Sequence, residues 1–163
     1  MLAALALLFA TATPLAEVHS LAEVMQTFPE SAHIRVVNVW ATWCAPCVAE
    51  IGDVQKISEA FKGNDVEVVG VSLDDSIPGD RSATKEKVQR FLADRKIRYR
   101  NLYYVGRTDS LAAQARFDGT IPVTLVYDAS GREIARNEGK LDVAWFQRTL
   151  AELVRTSNRG GKK

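Results

Sequence analysis

Both cysteines of this chain, Cys44 and Cys47, lie within one four-residue window. The window directly follows a dense apolar, β-branched run at 34–40 (IRVVNVW), which is typical of a strand buried on both faces. It opens a segment at 44–61 whose apolar residues are spaced by three and four, and this spacing predicts a helix. The two sulfurs are therefore predicted to lie at a strand-to-helix junction. A scaffold of several disulfides is excluded.

The other apolar patterns alternate between helices and strands. Helices are predicted at 21–28, 84–95, 110–117 and 142–154, and strands at 66–73, 101–105, 123–127 and 133–137. Strands separated by helices need crossover connections, which produce a parallel sheet. A tight turn at Ala129-Ser130-Gly131 joins the last two strands as an antiparallel hairpin. The sequence therefore predicts an α/β fold with a mixed central β-sheet flanked by helices.

Composition and charge exclude several classes of protein. With 163 residues, of which 47% are apolar and 25% charged, the chain matches one soluble globular domain. Its 21 Lys and Arg residues nearly balance its 20 Asp and Glu residues. This balance removes the main electrostatic argument for binding nucleic acid or an anionic membrane surface. We therefore expect no nucleic-acid partner. We also expect the protein to be a monomer.

The amino-terminal end has the character of a targeting segment. Residues 1–10 form an unbroken apolar run, followed by small residues that fit processing after Ala12 or Ala16. The run is too short for a secure membrane span, which needs about 20 apolar residues. Its positive n-region is missing, since the first basic residue is Arg35. We expect residues 1–16 to be a signal peptide, with an apolar anchor or a buried helix as the alternatives.

The rest of the chain is predicted to form one domain and a short tail. We place the domain at 17–155 and a basic, flexible tail at 156–163, because TSNRGGKK has two glycines and no apolar residue. A leader before a domain of this kind predicts a periplasmic or other extracytoplasmic location. The protein is expected to be soluble after leader removal, or weakly tethered if the leader remains.

Cys44 and Cys47 are placed for dithiol chemistry. Two cysteines three residues apart at a helix start lie on one face, close enough to form a disulfide. A thiol at a helix N-terminus faces unpaired N–H groups and the positive end of the dipole, so its pKa falls below the ordinary ~8.5. Cys44 is therefore predicted to be the nucleophile. Cys47, one turn inside the helix and more shielded, is predicted to be the resolving thiol.

The same pair has two other interpretations, half of a zinc site or two inert buried thiols. Zinc normally takes four ligands, supplied by a second such pair or by histidines. The chain has only His19 and His33, and both precede the cysteines. We expect these histidines at the surface or at a strand edge, and we expect no metal and no cofactor.

The motif and a later segment together resemble the thioredoxin superfamily, and within it the exported TlpA/ResA-like thiol–disulfide oxidoreductases. The segments that carry the resemblance are VVNVWATWCAPCVAE at 36–50 and GTIPVTLVYDASGREIARNEG at 119–139. The resemblance covers residues 20–155, and the stretch at 74–117 matches the family's central insertion. It implies a thioredoxin-like fold with a central α/β insertion.

The resemblance also assigns substrate-binding positions. Pro122, preceded by Ile121, would be a cis-proline that faces the two sulfurs, where main-chain groups of Ile121 receive an extended peptide. Trp43 would form an apolar rim beside the sulfurs, with Ala45 and Pro46 between the cysteines. Pro46 also fixes φ where the helix begins. The alternatives are a strand-opening proline for Pro122 and core packing for Trp43.

Glu50 matches the acidic residue that the TlpA/ResA-like family places near the cysteine pair. One turn from Cys47, it would accept and return the proton of the resolving thiol, and burial would raise its pKa. The alternative is an exposed helix residue. Two positions depart from the related proteins: Asn38 stands where thioredoxin has a buried Asp, and Gly52 replaces the family's usual proline.

The predicted function is that of a thiol–disulfide oxidoreductase acting as a reductant. Its expected partners are protein disulfide or dithiol substrates and a membrane thiol that donates electrons. A peroxiredoxin-like peroxidase is one alternative, although such enzymes usually have Thr three residues before the reactive cysteine, where Ala41 stands here. A non-catalytic copper or haem carrier is another, although no Met or His lies beside the pair.

Overall fold

The structure, a computed structural model, describes residues 15–160, and for residues 158–160 it describes the backbone only. Its strands are β1 Ala16–Val18, β2 Ile34–Trp40, β3 Val66–Ser72, β4 Arg100–Tyr104, β5 Val123–Asp128 and β6 Glu133–Glu138. Its helices are α1 Leu21–Gln26, α2 Ala45–Ala60, α3 Arg81–Asp94, α4 Thr108–Ala115 and α5 Val143–Gly160. A single 3-10 turn, Asp74–Ser76, follows β3.

The strands form one mixed sheet in the order β1-β4-β3-β2-β5-β6. The pairs β1–β4, β4–β3 and β3–β2 are parallel, because α-helices provide the crossovers between β2, β3 and β4. The pairs β2–β5 and β5–β6 are antiparallel. The predicted α/β class, the mixed sheet and the terminal hairpin are confirmed. The predicted insertion at 74–117 contains α3, β4 and α4.

The core lies around the two central strands. In both β2 and β3, every residue but the second is buried, as the dense apolar, β-branched runs predicted. Helix α2 contributes Ile51, Val54 and Ile57, whose spacing of three keeps them on one buried face. Each such side chain stabilises the fold by about 1.5–3 kcal/mol when fully buried. The helix that carries the cysteines is therefore anchored by its own apolar face.

Parallel pairing of β2 with β3 continues to the carboxyl ends of both strands. Trp40 is in register with Ser72, and the N–H of Leu73 donates to the carbonyl of Trp40 at 2.9 Å. The loop that leaves β2 and the 3-10 turn that leaves β3 therefore run side by side. The cysteine motif begins in the first of these loops.

The amino-terminal boundary differs from the sequence prediction. Ala16 pairs with Leu102 of β4 as the first residue of β1, and Leu15 is buried in the core. Both belong to the domain, although the predicted leader included them. Three residues of strand are too few to show a period in the sequence, so β1 was missed. The remaining leader, residues 1–14, lies outside the described residues.

The carboxyl-terminal prediction needs a correction as well. Helix α5 continues to Gly160, so residues 156–160 are helical rather than a flexible tail. The hydroxyl of Thr156 donates to the carbonyl of Leu153 at 2.9 Å, which satisfies a backbone acceptor in this part of the helix. The final residues, 161–163, lie outside the described part. Within the described part, no helix is both long and apolar enough to cross a membrane.

Gly70 on β3 allows a side-chain hydrogen bond between β2 and β4, the two strands that flank β3. The indole N–H of Trp40 on β2 donates to Oδ1 of Asn101 on β4 at 2.9 Å. This bond passes directly over Gly70, where an added Cβ would lie 2.8 Å from Cγ of Asn101 and 3.1 Å from Nε1 of Trp40. The absence of a side chain at Gly70 is therefore what lets Asn101 reach across to Trp40.

We predict that Gly70→Ala lowers the free energy of unfolding by about 1–3 kcal/mol, because the methyl group forces Asn101 away from Trp40. Urea denaturation measures the effect. The matched control is Gly52→Ala in α2, where an added Cβ meets nothing within 4 Å. Since Ala is the better helix former, the control should gain about 1 kcal/mol. An unchanged stability in Gly70→Ala would contradict this account of the sheet.

Candidate active site

Cys44 and Cys47 form a disulfide at the amino-terminal end of α2. Cys44 is the N-cap residue, and its sulfur accepts a hydrogen bond from the N–H of Cys47 at 3.3 Å. Pro46 lies in the first turn of α2, where a backbone N–H would have no acceptor within the helix, so the lack of an N–H costs nothing. Cys47 is only 1% exposed, and Cys44 is the more accessible of the two. The predicted helix-start geometry and the ability of the pair to form a disulfide are both confirmed.

The loop before β5 brings a cis peptide bond to the disulfide. The Ile121–Pro122 bond is cis, as the resemblance implied. The carbonyl oxygen of Ile121 lies 3.7 Å from Sγ of Cys44. The carbonyl of Pro122 accepts from the N–H of Gly139, which ties this loop to the end of β6. The two motifs of the sequence therefore meet at one point, with main-chain atoms against the outer sulfur.

The surface around the disulfide is apolar. Trp43 is 47% exposed, so the alternative of core packing at this position is wrong. Ala45 and Pro46 are also exposed, and Ile121 is partly exposed. Trp43, Ala45 and Pro46 lie beside the sulfurs because the same short loop and helix start carry them, and the loop before β5 brings Ile121 there.

Glu50 is buried beneath this surface, only 2% exposed, so the alternative of an exposed helix residue is wrong. Its Oε2 accepts from the backbone N–H of Leu141 at 2.7 Å. Its Oε1 lies 3.5 Å from Nδ2 of Asn38, which also donates to the hydroxyl of Thr124 at 3.0 Å. Among the described residues, its hydrogen-bond partners are these amides rather than either cysteine. The network joins α2 to β2, β5 and the loop before α5.

The surroundings of Glu50 perturb its ionisation. Burial raises the pKa of Glu50 above its usual range, while the amide donors of Leu141 and Asn38 pull the pKa of the same group down. Burial is the larger effect. A carboxyl that keeps its proton to a higher pH, one helical turn beyond Cys47, is suited to exchange a proton with that thiol.

Asp74 is a buried acid beside the motif that sequence reasoning missed. It is 2% exposed and lies in the 3-10 turn after β3. Its carboxylate accepts from the N–H of Thr42 at 3.0 Å, from the hydroxyl of Thr42, and from the hydroxyl of Ser72 at 2.7 Å. The only signal was a pair of acids directly after a buried strand, which is equally typical of a solvated turn.

The two histidines lie on the surface, as expected. His19 pairs with Glu23 at 3.3 Å and His33 with Asp65 at 3.5 Å, and all four side chains are exposed. Within residues 15–160, no group of three or more His, Cys, Asp or Glu side chains is arranged to hold a metal ion.

The fold and site together define a class of protein. A mixed sheet with a Cys-x-x-Cys disulfide at a helix N-terminus, opposed by a cis-proline, is the arrangement of thioredoxin-fold dithiol proteins. Comparison with protein-family models agrees with this class. Residues 14–139 match the AhpC/TSA family of the thioredoxin superfamily, and the chain belongs to this family.

Similar proteins include thiol–disulfide proteins. The thiol-disulfide oxidoreductase ResA of Oceanobacillus iheyensis is 49% identical over 39 residues, which are 24% of this chain and 20% of that protein. The thiol:disulfide interchange protein HelX of Rhodobacter capsulatus is 31% identical over 108 residues, or 66% of this chain and 53% of that protein. The chain thus spans between a fifth and about half of the length of these curated relatives.

A solved structure supports the same assignment. A secreted thiol-disulfide isomerase from Corynebacterium glutamicum superposes with a TM-score of 0.63 at 25% identity, covering 76% of this chain and 72% of that chain. The predicted thioredoxin-like fold and the resemblance to ResA-like proteins are confirmed.

The burial of Glu50 predicts a pH-dependent stability. The pKa of Glu50 in the folded protein lies above its ordinary value of 4.5, so the folded state holds the proton more tightly than the unfolded chain. This stabilisation is complete below about pH 4.5 and is lost as the pH rises through the raised pKa. Relative to Glu50→Gln, the oxidised protein should therefore lose stability as the pH rises across that window.

Urea denaturation of both proteins between pH 4 and pH 8 measures the difference. Glu86→Gln, which removes an exposed acid of α3 paired with Arg90, is the control and should show no such divergence. Parallel stability curves for the wild type and Glu50→Gln would contradict the assigned pKa direction.

Proposed function

We propose that this protein is a thiol–disulfide oxidoreductase that exchanges disulfides with other proteins through Cys44 and Cys47. The observation that carries the proposal is the Cys44–Cys47 disulfide at the N-terminus of α2, with the Cys44 sulfur against the carbonyl of Ile121. The similarity to ResA, a thiol-disulfide oxidoreductase, and to HelX, a thiol:disulfide interchange protein, supports it. In the proposed direction, the reduced pair transfers two electrons to a substrate disulfide.

Cys44 begins the exchange as a thiolate. The N–H of Cys47 and the positive end of α2 stabilise its negative charge. The thiolate attacks one sulfur of the substrate disulfide, so a Cys44–substrate bond forms and the substrate's own S–S bond breaks. The second substrate sulfur leaves as a thiolate and takes up a proton.

Cys47 completes the exchange. Its thiolate attacks the Cys44 sulfur of the mixed disulfide, which forms the internal disulfide and expels the remaining substrate sulfur. Cys47 must first lose its proton, and it is almost fully shielded from water. We propose that Glu50, one turn further along α2, accepts the proton of Cys47. Glu50 then donates this proton to the departing substrate thiolate. The substrate is then reduced and the protein oxidised.

The apolar surface around the disulfide is the proposed substrate site. Trp43, Ala45 and Pro46 offer exposed apolar contacts on one side of the sulfurs. On the other side, Ile121 presents main-chain groups, and the cis bond to Pro122 fixes their direction. An extended polypeptide that lies along Ile121 would deliver its own cysteine to Cys44.

The proposed cellular setting is extracytoplasmic. A reductant working in an oxidising compartment needs a supply of electrons, and we propose a membrane thiol protein as the donor. Because Leu15 and Ala16 belong to the domain, we favour processing of the leader after Ala12 over processing after Ala16. We propose that the mature protein acts as a monomer.

We predict that Cys44→Ser abolishes the reduction of insulin disulfides, while Cys47→Ser traps mixed disulfides with substrate. The reason is that only Cys44 forms the first bond and only Cys47 breaks it. Turbidity of precipitating insulin and non-reducing electrophoresis measure the two effects. Undiminished activity in Cys44→Ser would refute the assignment of the nucleophile.

Peroxide consumption by the reduced wild type separates this function from a peroxidase. We expect the reduced wild type to consume peroxide slowly compared with its reduction of insulin disulfides, because its two thiols are placed for disulfide exchange. Rapid turnover of peroxide coupled to slow turnover of insulin would favour the peroxidase alternative instead.

The proton-transfer role of Glu50 has its own test. We predict that Glu50→Gln lengthens the lifetime of the mixed disulfide by about 10²-fold near neutral pH, the lower end of general acid–base effects. Rapid-quench trapping with a model disulfide measures the lifetime. The defect should shrink at a pH high enough to ionise Cys47 without the help of a base. A lifetime equal to that of the wild type at every pH would assign Glu50 a structural role alone.

A further inference from the structure

The loop that precedes α2 and ends at Cys44 is a tight turn, and it is hydrogen-bonded to the side chain of Asp74. Residues 41–44 form the turn, closed by the N–H of Cys44, which donates to the carbonyl of Ala41 at 3.2 Å. Thr42 is its second residue, and both the N–H and the hydroxyl of Thr42 donate to the carboxylate of Asp74. Asp74 lies 32 residues further along the chain, so this contact is a tertiary one.

The side chain of Asp74 is itself fixed by hydrogen bonds and by burial. The hydroxyl of Ser72 donates to Oδ2 of Asp74 at 2.7 Å, and the backbone N–H of Asp74 lies 3.3 Å from the same hydroxyl. Asp74 is almost fully buried, whereas its neighbour Asp75 reaches outward to Arg81 at 2.8 Å. The carboxylate therefore has a single orientation, and it points at the turn that precedes the reactive sulfur.

We infer that Asp74 is a positioning residue for the reactive cysteine, which it aligns with the N-terminus of α2 by fixing the Ala41–Cys44 turn through Thr42. This inference rests on the proposed function. Its physical basis is the single hydrogen bond from Cys47 N–H to the Cys44 sulfur, at 3.3 Å. That bond stabilises the Cys44 thiolate only while the turn keeps the sulfur in front of the helix end.

Asp74 could act on Cys44 by aligning it or through its negative charge, and the two effects predict opposite changes in the pKa of Cys44 when Asp74 is removed. If the carboxylate acts by alignment, its loss frees the turn, the thiolate loses its N–H donor, and the pKa of Cys44 rises. If the carboxylate acts through its negative charge, its loss removes a repulsion and the pKa of Cys44 falls. Asn at this position keeps an oxygen acceptor for Thr42 but carries no charge, so it separates the two effects.

The experiment measures the rate of iodoacetamide alkylation of Cys44 against pH. Every variant carries Cys47→Ser, so that Cys44 is the only thiol present. We expect Asp74→Ala to raise the apparent pKa of Cys44 by about half a unit to one unit, and to slow alkylation at pH 7 by about threefold to tenfold. Asp74→Asn should restore most of the reference rate. Asp75→Asn is the matched control and should leave the profile unchanged.

Thr42→Val keeps the shape of the side chain and removes only the hydroxyl donor. It therefore tests the positioning role of Asp74 even if Asp74→Ala does not fold. We expect a shift of the same sign and smaller size. An unchanged profile in the folded variants, or a lowered pKa in Asp74→Ala and Asp74→Asn alike, would overturn the inference. Undiminished reduction of insulin disulfides by Cys44→Ser would instead refute the proposed function, independently of Asp74.

Discussion

Parallel pairing of β2 with β3 up to their last residues is the constraint on which the site depends. Because both strands run in the same direction, their carboxyl ends share one edge of the sheet, and Asp74 arrives beside Thr42. Strand β5 runs in the opposite direction along β2, so its amino-terminal end, with Pro122, reaches the same edge. A purely parallel sheet would place that proline at the far end of the neighbouring strand.

Beneath the sulfurs, one buried carboxyl group joins four parts of the fold. Glu50 on α2 is bound to the loop before α5 through Leu141, and to β2 and β5 through Asn38 and Thr124. Burying such a group costs free energy unless its oxygens find donors, and here both do. The arrangement fixes the depth of α2 against the sheet. It also keeps Glu50 one helical turn beyond Cys47 on α2, the position that the proposed proton transfer requires.

The sequence predicted those parts of the molecule that follow from periodicity and from local motifs. Strands β2 and β3 were predicted within one residue, since dense β-branched apolar runs are typical of buried strands, and the cis-proline followed from the resemblance. Strand β1 is too short to show a period, and the polar composition of residues 156–160 predicts a tail rather than the end of α5. The contact between Asp74 and Thr42 depends on strand order, which no local pattern contains.

The direction of electron flow depends on how strongly the site stabilises the Cys44 thiolate. A strongly stabilised thiolate favours the reduced pair and makes a disulfide oxidising. Here the N–H of Cys47 favours the thiolate, but the carbonyl oxygen of Ile121 faces the same sulfur and repels a negative charge. A weakly stabilised thiolate is what the proposed role as a reductant requires.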